Sequence, residues 1–501
     1  MVNIITYGFI YLVFVRCTES DSTMLTLNHT IIELTEGDTI QLNTAPTSKS
    51  IHWYSEQNDI AIVSKKGLVT ALTDGQTTIV AELNSLKATC IVVVKTDYSQ
   101  VANMPRSLKR GVSYSFALPD IDMPLLGNHI SWFYNWGPTI GNDLNEIANQ
   151  YKVDYFPMAW NGAFDATKIQ AYKIANPDCQ YILAFNEPNI TDQANMTPTQ
   201  AATEWPKIKA LATELNLKIV SPAMNYGTMK NYSDPIVWLD EFFSLIPLDD
   251  IDAIAIHCYM GNTSSLKAYV ERFKKYGKPI WMTEFCAWES FIVNATAQMN
   301  FMSEAIQYME QEPMITRYAW FIPRTSSAID SYPYMQLLNK SQPYDLTSLG
   351  KVFAEISSCD HTVYALADQI IEAEHFTQSN IADAIGQAGF SALVHLRPTS
   401  DTHGGNLEIC DFYTNKWLSY QIELIKNTKY TFTIRYAADN DATIQVSLDG
   451  KDAFLLTLPS TNGNTQWITQ THEINATEGK HTLRLTAQDG NISINWLKIK
   501  S

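Results

Sequence analysis

Two glutamates stand where an enzyme could use them. YILAF at 181–185 runs straight into Asn186, Glu187 and Pro188, and IWMTEF at 280–285 carries Glu284 one residue from its end. A short apolar run of this kind reads as a buried strand, and a carboxylate where it stops lies at a rim that a substrate can reach. A pair of such carboxylates is what glycosidic bond cleavage needs. One protonates the leaving oxygen, and the other attacks the anomeric carbon or activates water. Either residue alone reads equally well as a charge where a strand meets solvent. The pair, set in the pattern around it, favours chemistry.

That pattern is a rhythm of eight apolar runs: 110–114, 131–136, 154–160, 181–185, 218–222, 254–259, 280–285 and 317–321. Helical periodicity separates most of them, most clearly at 201–215, 237–245, 266–276, 297–309 and 347–356, while 116–128, with Pro119, Pro124 and Gly127, is expected to be irregular. Strand–helix alternation repeated eight times over about 250 residues has the size and order of a (β/α)8 TIM barrel, whose active site lies at the C-terminal strand ends. The unusual residues fall at those ends: Asn135 and Trp136, Trp160 and Asn161, Asn186 and Glu187, Ser221 and Asn225, His257 and Tyr259, Glu284, and Trp320. A single Trp there is more often a core plug, and a single His a satisfied structural residue. Several aromatics converging with amides and two acids describe a sugar cleft, because aromatic faces stack on pyranose C–H faces and amides bond hydroxyls.

The rest of the chain sets the context. Its 501 residues exceed one ordinary core, and a formal charge of −17 argues against a nucleic-acid partner and suits a neutral polymer. Ile4–Val15 is apolar but too short to span a bilayer, so 1–22 reads as a secretory signal peptide. Secretion or surface attachment is expected, and Cys17 directly after the run offers a lipoprotein anchor that the preceding Arg16 disfavours. The other cysteines have no metal-ligand spacing and read mostly as buried small side chains; Cys258 and Cys286 fall at adjacent strand ends, with no disulfide assignable.

Residues 23–96 alternate in short Thr-, Val- and Ile-rich runs. Through Trp53 in IHWYS, GLVTAL at 67–72 and GQTTIVAEL at 75–83, they resemble the bacterial Ig-like type 2 domain, a β-sandwich that usually serves as a spacer. A polar linker, 97–108, follows. Residues 109–357 resemble glycoside hydrolase family 128 through WFYNW at 132–136, FPMAWN at 156–161, LAFNEPN at 183–189, SPAMN at 221–225, IHCY at 256–259 and WMTEF at 281–285. The resemblance implies a retaining clan A enzyme acting on β-1,3-glucan, with Glu187 as acid/base and Glu284 as nucleophile. It also implies that Asn186 meets the sugar 2-hydroxyl and that His257 and Tyr259 orient the nucleophile side. Trp320 would floor the cleft, and Trp136 and Trp160 would be stacking platforms. As the acid, Glu187 is expected to titrate above the ordinary carboxylate range. No cofactor or metal is needed for this chemistry.

After a second linker, 358–366, residues 367–501 alternate like a β-sandwich (jelly roll) and resemble a family 6 carbohydrate-binding module. The resemblance implies that Trp467, with Phe412 or Tyr413, clamps a sugar and that Asn491 supplies an amide. Glu372 and Glu374 match the family's structural calcium position, although a later ligand expected as Asp is Asn495. A glycan on the sequon at Asn189 would obstruct the cleft and is not expected. The reading is a three-domain, monomeric β-1,3-glucanase, endo-acting as most such enzymes are. Its rivals are a clan A enzyme on another β-linked glycan and a non-catalytic glucan-binding protein. Retention of both glutamates argues against the latter.

Overall fold

The computed structural model describes residues 24–48, 50–325, 334–380 and 393–501, so the leader read at 1–22, with Cys17, lies outside them. The chain divides into two compact units, one ending at Asp97 and one running from Tyr98 to Ser501. In the first unit, strands Ile31–Thr35, Leu86–Lys95, Gly75–Leu83 and His52–Ser55 form one sheet, and Thr39–Gln41, Leu68–Ala71 and Ala61–Val63 form another. Ile32, Leu42, Val69, Ile79, Cys90 and Val92 fill the space between, with Trp53 against them. At Gly67, φ is +82°, and a Cβ would stand 2.5 Å from Leu42 O and 2.8 Å from the Trp53 ring. Only glycine fits there.

The second unit begins with eight strands: β1 Arg110–Ser113, β2 Trp132–Tyr134, β3 Asp154–Tyr155, β4 Tyr181–Leu183, β5 Lys218–Val220, β6 Ile254–Cys258, β7 Ile280–Phe285 and β8 Ile315–Trp320. Six make one parallel sheet in the order β3-β2-β1-β8-β7-β6, and β4 and β5 pair in parallel with each other. Single parallel bridges run from Met158 to Leu183, from Val220 to Ala253 and from Met224 to Ile256. The helices alternate with these strands: α1 Pro119–Leu126, α2 Asn142–Gln150, α3 Ala166–Ala175, α4 Pro198–Leu215, α5 Pro235–Leu245, α6 Thr263–Phe273, α7 Ala295–Gln311 and α8 Ser348–Glu355.

Local chemistry explains their starts. Thr197 and Gln200 form a reciprocal capping box ahead of Pro198, and Asp234, Asn262, Asn294 and Thr347 cap α5 to α8 with side-chain oxygens. The segment 116–128, expected to be irregular, contains α1 instead. Pro119 stands in its first turn, where no donor is lost, and although Pro124 lies inside, Met123 and Leu126 are buried. Tertiary packing outweighs propensity there.

The N-terminal strand ends are closed by cations. The Arg317 guanidinium lies 5.1–5.9 Å from the rings of Trp132, Phe156, Tyr181 and Trp281. Arg110, 1% exposed, donates to the carbonyls of Phe353, Ala354, Ile356 and Ser357, which satisfies the end of α8. Arg106, within the stretch read as a linker, likewise donates to Gly127, Ile130 and Tyr151.

The C-terminal region packs two antiparallel-rich sheets. One is ordered 365–366, 417–424, 479–489, 442–448, 451–458, and the other 395–398, 407–413, 491–500, 428–438, 463–476. It is built onto the central domain through α7: Gln307 Nε2 donates to Val394 O (2.8 Å), and the Leu396 amide donates to Ser303 Oγ (3.1 Å). His395 lies between Glu304 of α7 (2.8 Å) and Asp411 (2.6 Å). No helix among the described residues is long and apolar enough to cross a membrane.

Candidate active site

Strand geometry brings the two glutamates together. In the parallel pair β6–β7 the register shifts between Ile256 and His257, which sets His257 directly beside Glu284. Glu187 follows β4 by four residues, its backbone in the left-handed region (φ 44°), and its amide donates to Ala223 O after β5. Glu187 and Glu284 are 7% and 4% exposed, and His257 is wholly buried. His257 Nδ1 stands 2.9 Å from Glu187 Oε1 and 3.4 Å from Glu284 Oε2. One atom from each of the three residues can be chosen so that all lie within 4.8 Å of one another. A cation could bind groups so spaced, but Nδ1 is committed to Glu187, and the Glu284 oxygens already accept three donors.

Those donors are Tyr134 Oη (2.8 Å), Trp136 Nε1 (2.7 Å) and Tyr259 Oη. Burial and the Glu284 charge push both tyrosine hydroxyls well above their ordinary range, so they remain donors. Glu187 accepts from Asn225 Nδ2 at 3.0 Å as well as from the imidazole. Burial pushes the Glu187 carboxyl up, but the His257 and Asn225 hydrogen bonds outweigh it and hold the carboxyl below its ordinary value. This reverses the expected upward shift. His257 moves the other way: burial depresses it, but the two carboxylates outweigh burial and raise it.

The other expected cleft residues divide. Asn186 is buried, Nδ2 donating to Gln193 and Oδ1 left without a partner, as a substrate-binding amide would be. Trp160 is half-buried. Trp136 is held by its indole N–H on Glu284, so it positions a carboxylate whatever else its ring does. Asn135 Oδ1 accepts from Tyr155 Oη (2.7 Å) and the Gly137 amide (3.1 Å), bracing its own loop. Trp320 does not reach the cleft. It is fully buried, donates to Met335 O and packs on Phe285 and Phe353. Successive strand residues face opposite sides, so the next residue, Phe321, turns to the rim, with ring centroids 6.0 Å from Trp136, 5.5 Å from Tyr259 and 6.1 Å from Trp288.

Sequence reasoning missed Tyr134, Phe321 and the 43%-exposed Trp288, and it left Asn225 without a role. Period-2 alternation from Trp136 back to Tyr134 was the available signal. Asn189 is wholly buried and donates to Asn225 O and Tyr232 O, which leaves no access for a glycan in the folded chain. Cys258 and Cys286 are buried free thiols.

In the C-terminal domain Trp467 is half-buried, with its indole N–H on Ser400 Oγ (3.0 Å). Tyr413 pairs in register with the exposed Asn491, which places an aromatic beside an amide. Phe412 is fully buried and cannot clamp a sugar; its neighbour Tyr413 is half-buried.

Residues 111–353 match the glycosyl hydrolase catalytic core family, 391–501 the family 6 carbohydrate binding module, and 21–92 the group 2 bacterial Ig-like domain. A GH128 subgroup II endo-beta-1,3-glucanase from Pseudomonas viridiflava is 37% identical, the match covering 50% of this chain and 98% of that one with a TM-score of 0.46. Another from Sorangium cellulosum is 32% identical over 49% of this chain and 98% of that one, with a TM-score of 0.44. Alkali-sensitive linkage protein 1 of Schizosaccharomyces pombe is 27% identical over 233 residues, 43% of this chain and 39% of the relative. The chain spans less than half the length of the curated relatives it matches.

Proposed function

We propose, for a glycoside hydrolase whose central domain belongs to family 128 and whose C-terminal domain is a family 6 carbohydrate-binding module, retaining endo-cleavage of β-1,3-glucan. The observation that carries this is the convergence of Glu187 and Glu284 on one imidazole, 2.9 and 3.4 Å from the same nitrogen. A retaining pair works at roughly 5–5.5 Å, too close for an intervening water. The single bridges at 158–183, 220–253 and 224–256 support a closed (β/α)8 barrel, with the pair at its C-terminal rim.

Glu187 gives its proton to the glycosidic oxygen as Glu284 bonds to the anomeric carbon and the carbon–oxygen bond breaks. His257, donating to Glu187, is the adjacent proton reservoir. Water then attacks the glycosyl-enzyme, Glu187 takes its proton, and Glu284 leaves. Tyr134, Trp136 and Tyr259 hold Glu284 in line for attack. The free Oδ1 of Asn186 bonds the 2-hydroxyl, and Phe321 and Trp288 give the sugar an apolar wall. Secretion on the 1–22 leader, with anchoring through Cys17 as the alternative, and action as a monomer complete the reading.

The module's calcium site fits its residues. Glu372 Oε2, Glu374 Oε2 and Asn495 Oδ1 are buried without partners, and Asn495 spends only its Nδ2, on Asp401 and Gly404 O. The Asn that replaces the expected Asp thus still turns an oxygen inward. Oxygen-only donors suit calcium, which would order the module's loops.

The test is product analysis on linear β-1,3-glucan beside xylan, mannan and cellulose. Wild type is expected to release a ladder of oligosaccharides from β-1,3-glucan alone, and Glu284→Ala to lose at least about a thousandfold in turnover while still binding. Products from another glycan would discard the substrate assignment, and undiminished turnover in the variant would discard the mechanism.

A further inference from the structure

A cavity of about 370 Å3 lies between the foot of the catalytic domain and the module. Arg106, His129 and Glu355 line it from the catalytic side, and Glu372, Glu374 and His375 from the module. Neither arginine answers the module's two acids. Arg106 is occupied by main-chain carbonyls, and Arg110, also at the wall, by the end of α8 and by Glu310 at 3.7 Å. Glu372, Glu374 and Asn495 are 7, 1 and 0% exposed, and each leaves one oxygen unpaired. The Asn495 and Glu372 oxygens face one space, and Glu374 lines the same cavity as Glu372. A Cβ built on Gly405, whose φ is +77°, would come within 2.0 Å of Asn495 Oδ1 and 3.1 Å of Glu372 Oε2. Buried carboxylate oxygens without donors are satisfied by a proton or by a cation.

The catalytic domain feels the same site. Glu355, at the end of α8, lines the same cavity as Glu372 and Glu374. The strand leading into Glu372 is tied to the segment that enters the barrel: the Ile370 amide donates to Gln100 O and the Ala102 amide to Ile370 O, both at 2.8 Å. Ser357, two residues beyond Glu355, donates to Phe376 O. Three carboxylates facing one seam repel each other, and a divalent cation among them reverses the sign of that interaction.

Resting on the calcium reading above, we propose that the cation held by Glu372, Glu374 and Asn495 sits at the seam between the two domains, with Glu355 of the catalytic domain as its outer counter-charge, and that its occupancy locks the module onto the barrel. Calcium then does more than order loops inside the module. It sets how tightly the sugar-binding domain is held to the catalytic domain across the core they already share.

The experiment strips the full chain with EDTA and titrates it with calcium. Calorimetry follows binding, scanning calorimetry follows unfolding, and protease nicking within 358–366 follows the seam. Calcium is expected to bind once per chain, to merge separate catalytic-domain and module transitions into one, and to slow nicking at least about tenfold. Glu355→Gln, which leaves every module ligand intact, should weaken calcium binding by roughly fivefold. Glu374→Gln should abolish binding, and Asn495→Asp should tighten it. Calcium bound with unchanged transitions, or with unchanged affinity in Glu355→Gln, would overturn the seam while sparing the calcium reading. No binding at millimolar calcium would overturn both. Neither result bears on the glucanase assignment.

Discussion

Glu187 illustrates how two hydrogen bonds can reverse a desolvation effect. Burial alone would make it an acid of high proton affinity, and an imidazole at 2.9 Å with an amide at 3.0 Å turns the direction downward. A general acid at this position needs a proton, and His257, hydrogen-bonded to Glu187, is the neighbouring group that can share one. His257→Ala removes the larger of the downward influences and leaves burial in place. The alkaline limb of kcat/KM is then expected to shift, because it reports Glu187 alone instead of the coupled pair, while kcat falls as the carboxyls lose their common anchor. A pH profile on a soluble β-1,3-glucan oligosaccharide checks this. An alkaline limb that stays in place would mean that the imidazole orients Glu187 without setting its charge.

At the scale of elements, adjacent aromatics on one strand have opposite duties. Trp320 is sealed between sheet and helices, and Phe321 turns to the cleft. Trp320→Ala should cost about 3–5 kcal/mol of stability, read as a lower denaturant midpoint. Phe321→Ala should leave that midpoint near wild type and lower kcat/KM on glucan by about tenfold, the worth of one lost aromatic contact. What was legible in the sequence follows the same division. The eight strands, the order of helices and the acid pair show through period-2 and period-3.6 patterns that packing enforces. The choice of Trp320 at the end of the eighth strand rested on residue type, and Phe412 and Tyr413 were left as alternatives, whereas one residue of register decides which of two neighbours is buried. Tyr134 and Asn225 act on carboxylates far off in sequence, and no local pattern reports such a pairing. α1 was missed because its two prolines speak against a helix that burial of Met123 and Leu126 nonetheless makes.

For the molecule as a whole, the consequence is that the module and the catalytic domain share one core. Ile356, Phe376 and Leu396 belong to the same apolar cluster as the interior of the central domain, and His395 clasps Glu304 on one side and Asp411 on the other. Burial lowers the affinity of that imidazole for its proton, but the bonds to Asp411 and Glu304 outweigh burial and raise it. A histidine whose folded value exceeds its unfolded one, about 6.5, contributes stability that is complete below the unfolded value and is lost as pH climbs through the folded one. The clasp therefore tightens in acid. His395→Gln should lower Tm most at pH 6, and the gap to wild type should close toward pH 9. An equal gap at both values would show that the neutral ring's packing, and not the imidazolium between two carboxylates, joins the domains.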